Sequence, residues 1–233
     1  MESSNYSLRN TARLAGLLYF ISAAGAIFGY MYISPKIIVT GDIAATSKNM
    51  LANESLFRMS IANDIISNIL FLAVILLLYQ LLNSVNRFQA RLMAGLVIVA
   101  LPVFFIADSL SIIALQIFKG NLLSSYSTDQ AQDIAATLLR IGDYGSQLIT
   151  FHWGLWLIPL GVLIYRSGFI PRILGVLLFI NGIGYMISSA TFILFPDFQA
   201  VVLKWVYPTY FIGELPLIFW LLIKGIKSNA KAT

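Results

Sequence analysis

The sequence predicts an all-α, polytopic membrane protein: a six-transmembrane-helix bundle with both termini in the cytoplasm. Three observations predict it. Hydrophobic residues make up 59% of the chain and charged residues only 11%, against roughly 25% charged residues in soluble domains. The apolar residues come in runs of about twenty, the length a helix needs to cross a hydrocarbon core of roughly 30 Å. Those runs do not alternate, as the strands of a membrane barrel do in segments of about ten residues.

Each element follows in order. Residues 1–10 are polar, and no regular structure is expected of them. The first span covers residues 14–32. Its run Ser22-Ala-Ala-Gly-Ala26 imitates a cleavage site, but the segment is read as a retained span. Gly16, Gly25 and Gly29 suit close helix packing. The loop at 34–54 is polar, with a short surface helix expected from Asp42 to Leu51. The second span covers 57–82 and carries Ser60, Asn63, Asp64, Ser67 and Asn68, which share one helical face. The third covers 92–118, with Pro102 expected to kink it and Asp108 beyond the proline. Ser127-Thr-Asp-Gln130 has the form of a capping box, so a helix is expected to begin there. A single helix from there to Tyr165 would be about 57 Å long. A break is therefore expected between Gly142 and Gly145, with the fourth span at 141–165. The fifth and sixth spans cover 173–195 and 201–223.

Charge sets the orientation. One side holds Arg9, Arg13, Arg87, Arg91, Arg166, Arg172, Lys224, Lys227 and Lys231 against Glu2 alone. On the other side basic and acidic residues nearly balance. The positive-inside rule puts the basic side in the cytoplasm. The net charge of +5 thus reflects topology, and no nucleic-acid partner is expected; the partner is the lipid bilayer. The turns Phe88-Gln-Ala-Arg91 and Phe169-Ile-Pro-Arg172 are alike, through an internal repeat or through a shared turn rule that places Arg after an aromatic residue.

The absence of Cys excludes disulfides, thiolate sites and Cys nucleophiles. A single His leaves no multi-His zinc or haem site, and no cofactor is expected. What remains is a set of intramembrane ionisable residues, which lipid tolerates only when they face protein or water. Arg140, Asp143, Gln147 and Thr150 fall on one stripe of the fourth span. Asp64 and Asp108 lie in the outer halves of their spans, and Glu214 lies near the middle of the sixth, on one face with Tyr210. The expected site is a polar cavity in the outer half of the bundle, with Asp64, Asn68, Asp108, Arg140, Asp143, Gln147, Tyr210 and Glu214 as ligand- or proton-binding candidates. The competing reading is an ion-pair network that only fixes helix packing, with Arg140 and Asp143 satisfying each other. His152 lies about 180° from Asp143 on the helix and reads as a packing residue. A metal held by His152 with Asp108 and Glu214 is a weaker alternative, and no metal is the expectation.

Five stretches resemble a known family. They are Gly154-Leu-Trp-Leu-Ile-Pro-Leu-Gly161, Tyr165-Arg-Ser-Gly-Phe-Ile-Pro-Arg-Ile-Leu-Gly175, Thr11-Ala-Arg-Leu-Ala-Gly-Leu-Leu-Tyr19, Phe195-Pro-Asp197 and Gly213-Glu-Leu-Pro-Leu-Ile-Phe-Trp-Leu-Leu-Ile-Lys-Gly225. Together they resemble the bacterial membrane family catalogued as domain of unknown function 4386. The resemblance implies one six-span domain in a bacterial cytoplasmic membrane and implies no activity. Three roles fit the residues: binding or transport of a small polar or cationic solute or of protons, a non-catalytic membrane subunit or regulator, and an enzyme acting on a lipid or amphiphile. The Gly-x-Ser-Gly segment of rhomboid-type proteases is absent, and the enzyme reading is the thinnest.

Overall fold

Inside hydrocarbon a backbone has no water to bond, so each apolar run must satisfy its own amides, and a helix does this. The computed structural model describes residues 2–226, with side chains from Leu8 onward. Lys227 and Lys231, counted above in the basic end, lie outside the described residues. Among the described residues, five helices are long and apolar enough to cross a membrane, or six if one bent pair forms a single span.

The first helix, α1 (Glu2–Phe28), runs through a π-helical turn (Gly29–Ile33) into α2 (Ser34–Ile37). The start expected to be unstructured is thus helical from residue 2. Once a helix is nucleated, each further residue adds a bond at little entropic cost. The first span also outlasts its expected end, because the Ser34 amide bonds back to the Gly29 carbonyl and winds the chain onward. α3 (Ile43–Ala52) is the short surface helix expected there, capped by Asp42, whose carboxylate accepts from the Ala45 amide at 2.8 Å. α4 (Glu54–Leu82) and α5 (Arg87–Phe118) follow, and α5 is helical through Pro102. α6 (Thr128–Leu155) begins at the capping box: the Ser127 amide donates to the Gln130 side chain at 3.1 Å, and the Gln130 amide returns to the Ser127 hydroxyl at 3.3 Å.

Two breaks depart from the sequence-based expectations. α6 does not break at Gly142 to Gly145; it stops at Leu155, and α7 (Leu157–Ser167) resumes after Trp156. Pro159 has no amide hydrogen for the Leu155 carbonyl, and its ring crowds that carbonyl. Proline, not glycine, therefore sets the break. α8 (Arg172–Leu194) and a short 3-10 turn (Pro196–Phe198) come next. The expected continuous sixth span is divided into α9 (Gln199–Val206), α10 (Thr209–Ile212) and α11 (Glu214–Ile223), with a bend of 43° between the 196–206 and 209–223 segments. Pro208 removes the helical amide there. The Tyr210 amide turns to the Tyr207 carbonyl at 3.2 Å, and the Thr209 hydroxyl takes the Val206 carbonyl at 2.6 Å.

The chain forms two compact units. One comprises Ser22–Asn68 and Leu101–Ser146. Its core gathers Ile33, Ile37, Met50, Phe57, Ile61 and Leu115, with Leu139 packed on them. α1 meets the polar face of α4 in this unit. Asn63 donates to the Gly25 carbonyl at 3.0 Å and Ser22 to the Ser67 carbonyl at 2.9 Å. A Cβ on Gly25 would lie 2.9 Å from the Asn63 side-chain oxygen, so glycine permits that contact. Gly142 instead packs over Ala107 at ordinary contact distance. The ion pairs among the described residues both end on Glu54, from Arg58 at 2.8 Å and Lys119 at 2.9 Å. These partly exposed pairs contribute little to stability.

The other unit comprises residues up to Ile21, Ile69–Ala100 and the chain from Gln147. Trp156 is fully buried there, edge-on to Phe71 at 5.5 Å. α8 packs against Gly154 of α6 and against α7 through paired glycines: a Cβ on Gly182 would lie 2.7 Å from the Gly154 carbonyl oxygen, and one on Gly175 would lie 2.7 Å from that of Gly161. Small residues let helix backbones touch, which is how helices associate where lipid offers no hydrophobic drive. Arg13 donates to the Ile223 carbonyl at 3.1 Å and tethers α1 to the end of α11. The Gly182→Ala substitution is expected to destabilise the protein by about 1–3 kcal/mol, the usual cost of overpacking. Unfolding in detergent measures this, and a neutral effect would mean that the backbones are not in contact.

Candidate functional site

The residues around Glu214 are brought together by the break in the last apolar segment. Gly213 stands between α10 and α11 and lies hard against α8: a Cβ there would come within 2.7 Å of Asn181 and 2.9 Å of the Leu177 carbonyl. That approach lets the Glu214 amide donate to the side-chain oxygen of the fully buried Asn181 at 3.2 Å. The Glu214 carboxylate then accepts from two phenols. The Tyr19 hydroxyl, from α1, makes a short hydrogen bond to one oxygen, and the Tyr185 hydroxyl, from α8, donates to the other at 3.3 Å. Tyr19 is itself 3% exposed, edge-on to Phe71. Tyr185 stacks on Tyr210 with ring centroids 4.1 Å apart, and Tyr207 lies tilted beside Tyr210 at 5.7 Å. Side chains of α1 and α8 thus converge on the carboxylate of α11, and among the described residues no basic side chain is a hydrogen-bond or ion-pair partner of it.

Chemically, this is a carboxylate in apolar surroundings met by neutral donors. Such a group needs a proton, a cation or strong hydrogen bonds to compensate its charge. Tyrosine hydroxyls can donate to it or accept from its protonated form, so the cage tolerates either state.

A second set lies in the unit formed by Ser22–Asn68 and Leu101–Ser146. Asp64 accepts from Asn63 at 3.3 Å. Asp108, on α5, is within electrostatic range of Asp64, and one of its oxygens is buried without a hydrogen-bond partner among the described residues. Neighbouring hydroxyls do not serve it, because Ser109 and Ser111 bond to carbonyls of their own helix at 2.8 and 3.0 Å. Asn68 is partly buried on the same helix as Asp64.

The other expected residues fall apart. Arg140 and Asp143 are exposed, and the local ion pair proposed for them is not among those the described residues form. In hydrogen-bonding terms Gln147 takes part through its backbone, which accepts from Ser189 at 2.9 Å. Glu214, Tyr210, Gln147 and His152 belong to one compact unit, whereas Asp64, Asn68, Asp108, Arg140 and Asp143 belong to the other. No group of three or more His, Asp or Glu that could hold a metal occurs among the described residues.

Sequence reasoning missed Tyr19, Tyr185 and Asn181 as members of the site. One signal was present: Asn181 and Tyr185 are spaced i, i+4 in a largely apolar helix, so they share a face. The partnership of Tyr19 with Glu214 spans 195 positions, and no local pattern reports it.

A family model described as a domain of unknown function, DUF4386, matches residues 14–225, most of the chain. An uncharacterised protein of Archaeoglobus fulgidus is 39% identical over 75 residues, which cover 32% of this chain and 43% of that protein. The chain therefore matches less than half the length of that relative. No solved structure matches.

The Tyr19→Phe substitution is expected to destabilise the protein by about 1.5–3 kcal/mol, the usual contribution of a hydrogen bond to a charged group. Tyr207→Phe, at a half-exposed ring, is expected to stay within about 0.5 kcal/mol. Equal unfolding transitions for the two variants would rule out the Tyr19–Glu214 bond as a stabilising contact.

Proposed function

We propose that this chain, which belongs to the DUF4386 family, is a multi-pass protein of the bacterial cytoplasmic membrane that binds a proton or a small cation at Glu214. Both termini face the cytoplasm on this reading, because the basic residues gather at that end of the bundle. Asp64 and Asp108 then lie in the outer half of the membrane and form a second carboxylate pair open to the same kind of ligand.

The observation that carries the reading is a carboxylate held by tyrosine hydroxyls, with no basic partner among the described residues, at the Gly213 interruption between α10 and α11. Discontinuous helices in transporters form ligand sites because their interrupted ends leave backbone groups without helical partners. Here Pro216 leaves the Ile212 carbonyl, two residues before Glu214, without its usual helical donor. Carboxylate, phenol and free carbonyl oxygens are hard ligands that suit a small cation, and the carboxylate alone suits a proton.

A second reading has its own support. Many intramembrane polar groups are taken up in bonds between helices, among them Ser22 with Ser67, Asn63 with Gly25 and Ser189 with Gln147. That pattern fits a membrane subunit or regulator whose polar residues only fix packing.

Thermal unfolding of the purified protein against sodium, potassium, guanidinium and choline ions separates the two. A ligand at a hundred times its Kd stabilises the folded state by about 2.7 kcal/mol. The expected result is a rise in Tm with one of these cations that is lost in Glu214→Gln. Asp108→Asn assigns the second pair, since a cation that shifts this variant and the wild type equally does not bind there. Absence of any shift, or equal shifts in the wild type and Glu214→Gln, contradicts the cation reading and favours the packing role.

A further inference from the structure

Away from the carboxylates, the unit containing Glu214 has a cleft of about 540 Å³. It is an open groove lined by one face of α5, from Phe88 to Val99, together with His152 of α6. The α5 residues recur at i, i+3, i+4 and i+7, a single helical stripe. The wall is apolar except for Arg91 and His152.

Gly95 lies in the middle of that stripe. Elsewhere in this unit helix glycines have a visible reason: a Cβ on Gly154, Gly175 or Gly182 would strike the backbone of a neighbouring helix. A Cβ on Gly95 would meet nothing within 4 Å, and its φ is not positive. Neither packing nor backbone conformation calls for glycine there, and glycine is a poor residue for a helix interior. Its effect is to lower the floor of the cleft, which lets a ligand approach the helix backbone closely.

Position and charge identify the ligand. α5 is long and apolar enough to cross a membrane, so the middle of the cleft lies at the depth of acyl chains. Arg91 is one turn into α5, beside Arg87. No acidic residue stands in the first turn of that helix, and neither Arg is in an ion pair among the described residues. Arg91 to Val99 spans about 12 Å along the axis, within one leaflet of a hydrocarbon core of roughly 30 Å. Basic residues at the end of membrane helices attract anionic headgroups.

We propose that this cleft holds one anionic phospholipid, with its phosphate at Arg91 and an acyl chain laid over Gly95 against His152. The test is native mass spectrometry of full-length protein taken from vesicles of equal phosphatidylglycerol and phosphatidylcholine. The wild type is expected to retain one phosphatidylglycerol in preference to phosphatidylcholine. Gly95→Leu is expected to keep the wild-type helical content and thermal stability, because nothing in the protein opposes the side chain, but to lose retention at least tenfold. Arg91→Gln is expected to retain a phospholipid without the preference for phosphatidylglycerol. Val99→Trp narrows the same cleft from another position and is expected to lose retention as Gly95→Leu does, so the test stands if either variant fails to fold. The proposal is overturned if the wild type retains no phospholipid, if it retains the two lipids equally, or if folded Gly95→Leu and Val99→Trp retain as much as the wild type.

Discussion

A carboxylate held among apolar side chains has neither bulk water nor a mobile counter-ion, and the arrangement around Glu214 answers that constraint. The carboxylate takes hydroxyl donors from Tyr19 and Tyr185, and its own amide is anchored on Asn181. Each contact requires another helix to be close. Gly213 brings the start of α11 against α8, and Gly16 lets α1 meet the Leu221–Leu222 backbone, so that Tyr19 lies at the right depth. The break that interrupts the last apolar segment is therefore part of the site. Gly213 keeps right-handed helical dihedrals, and it is the missing side chain there that lets the chain press against Asn181.

The same constraint explains the density of glycine contacts. Without a hydrophobic drive between helices in lipid, association rests on close packing and on hydrogen bonds between helices. Gly154 with Gly182 and Gly161 with Gly175 bring backbones into contact along one helix pair, while Gly25 lets Asn63 reach a carbonyl of α1. On α4, Asn63 and the Ser67 carbonyl are engaged with α1, while Ser60 bonds the Phe57 carbonyl of its own helix. On α5, Asp108 has a buried oxygen that no described residue meets.

Much of this was legible in the sequence, and the parts that were not have physical reasons. Run length reported the first five spans, and local chemistry reported the Asp42 cap and the Ser127–Gln130 box. The spacing of Asn63 and Ser67 correctly gave one polar face, although both residues bond α1. The break in the long α6–α7 segment was misplaced, because flexible glycines were favoured over the stricter demand of Pro159, which removes a helical bond outright. The break at Pro208 and Gly213 was hidden by continuous apolarity. Arg140 and Asp143 had the spacing of a pair but lie exposed, where an ion pair contributes little and need not form. The tyrosine cage was illegible for a different reason: tyrosines in a membrane helix resemble interfacial belts, and only the folded chain brings residue 19 to residue 214.

The central claim is that Glu214 is an exchangeable carboxyl group and not a fixed packing contact. Infrared difference spectroscopy between acid and alkaline samples of the purified protein tests it most directly, since the carbonyl stretch of a protonated carboxyl is distinct from that of a carboxylate. The account predicts a pH-dependent carboxyl band in the wild type that disappears in Glu214→Gln while Tyr207→Phe retains it. Identical difference spectra from the wild type and Glu214→Gln would contradict it.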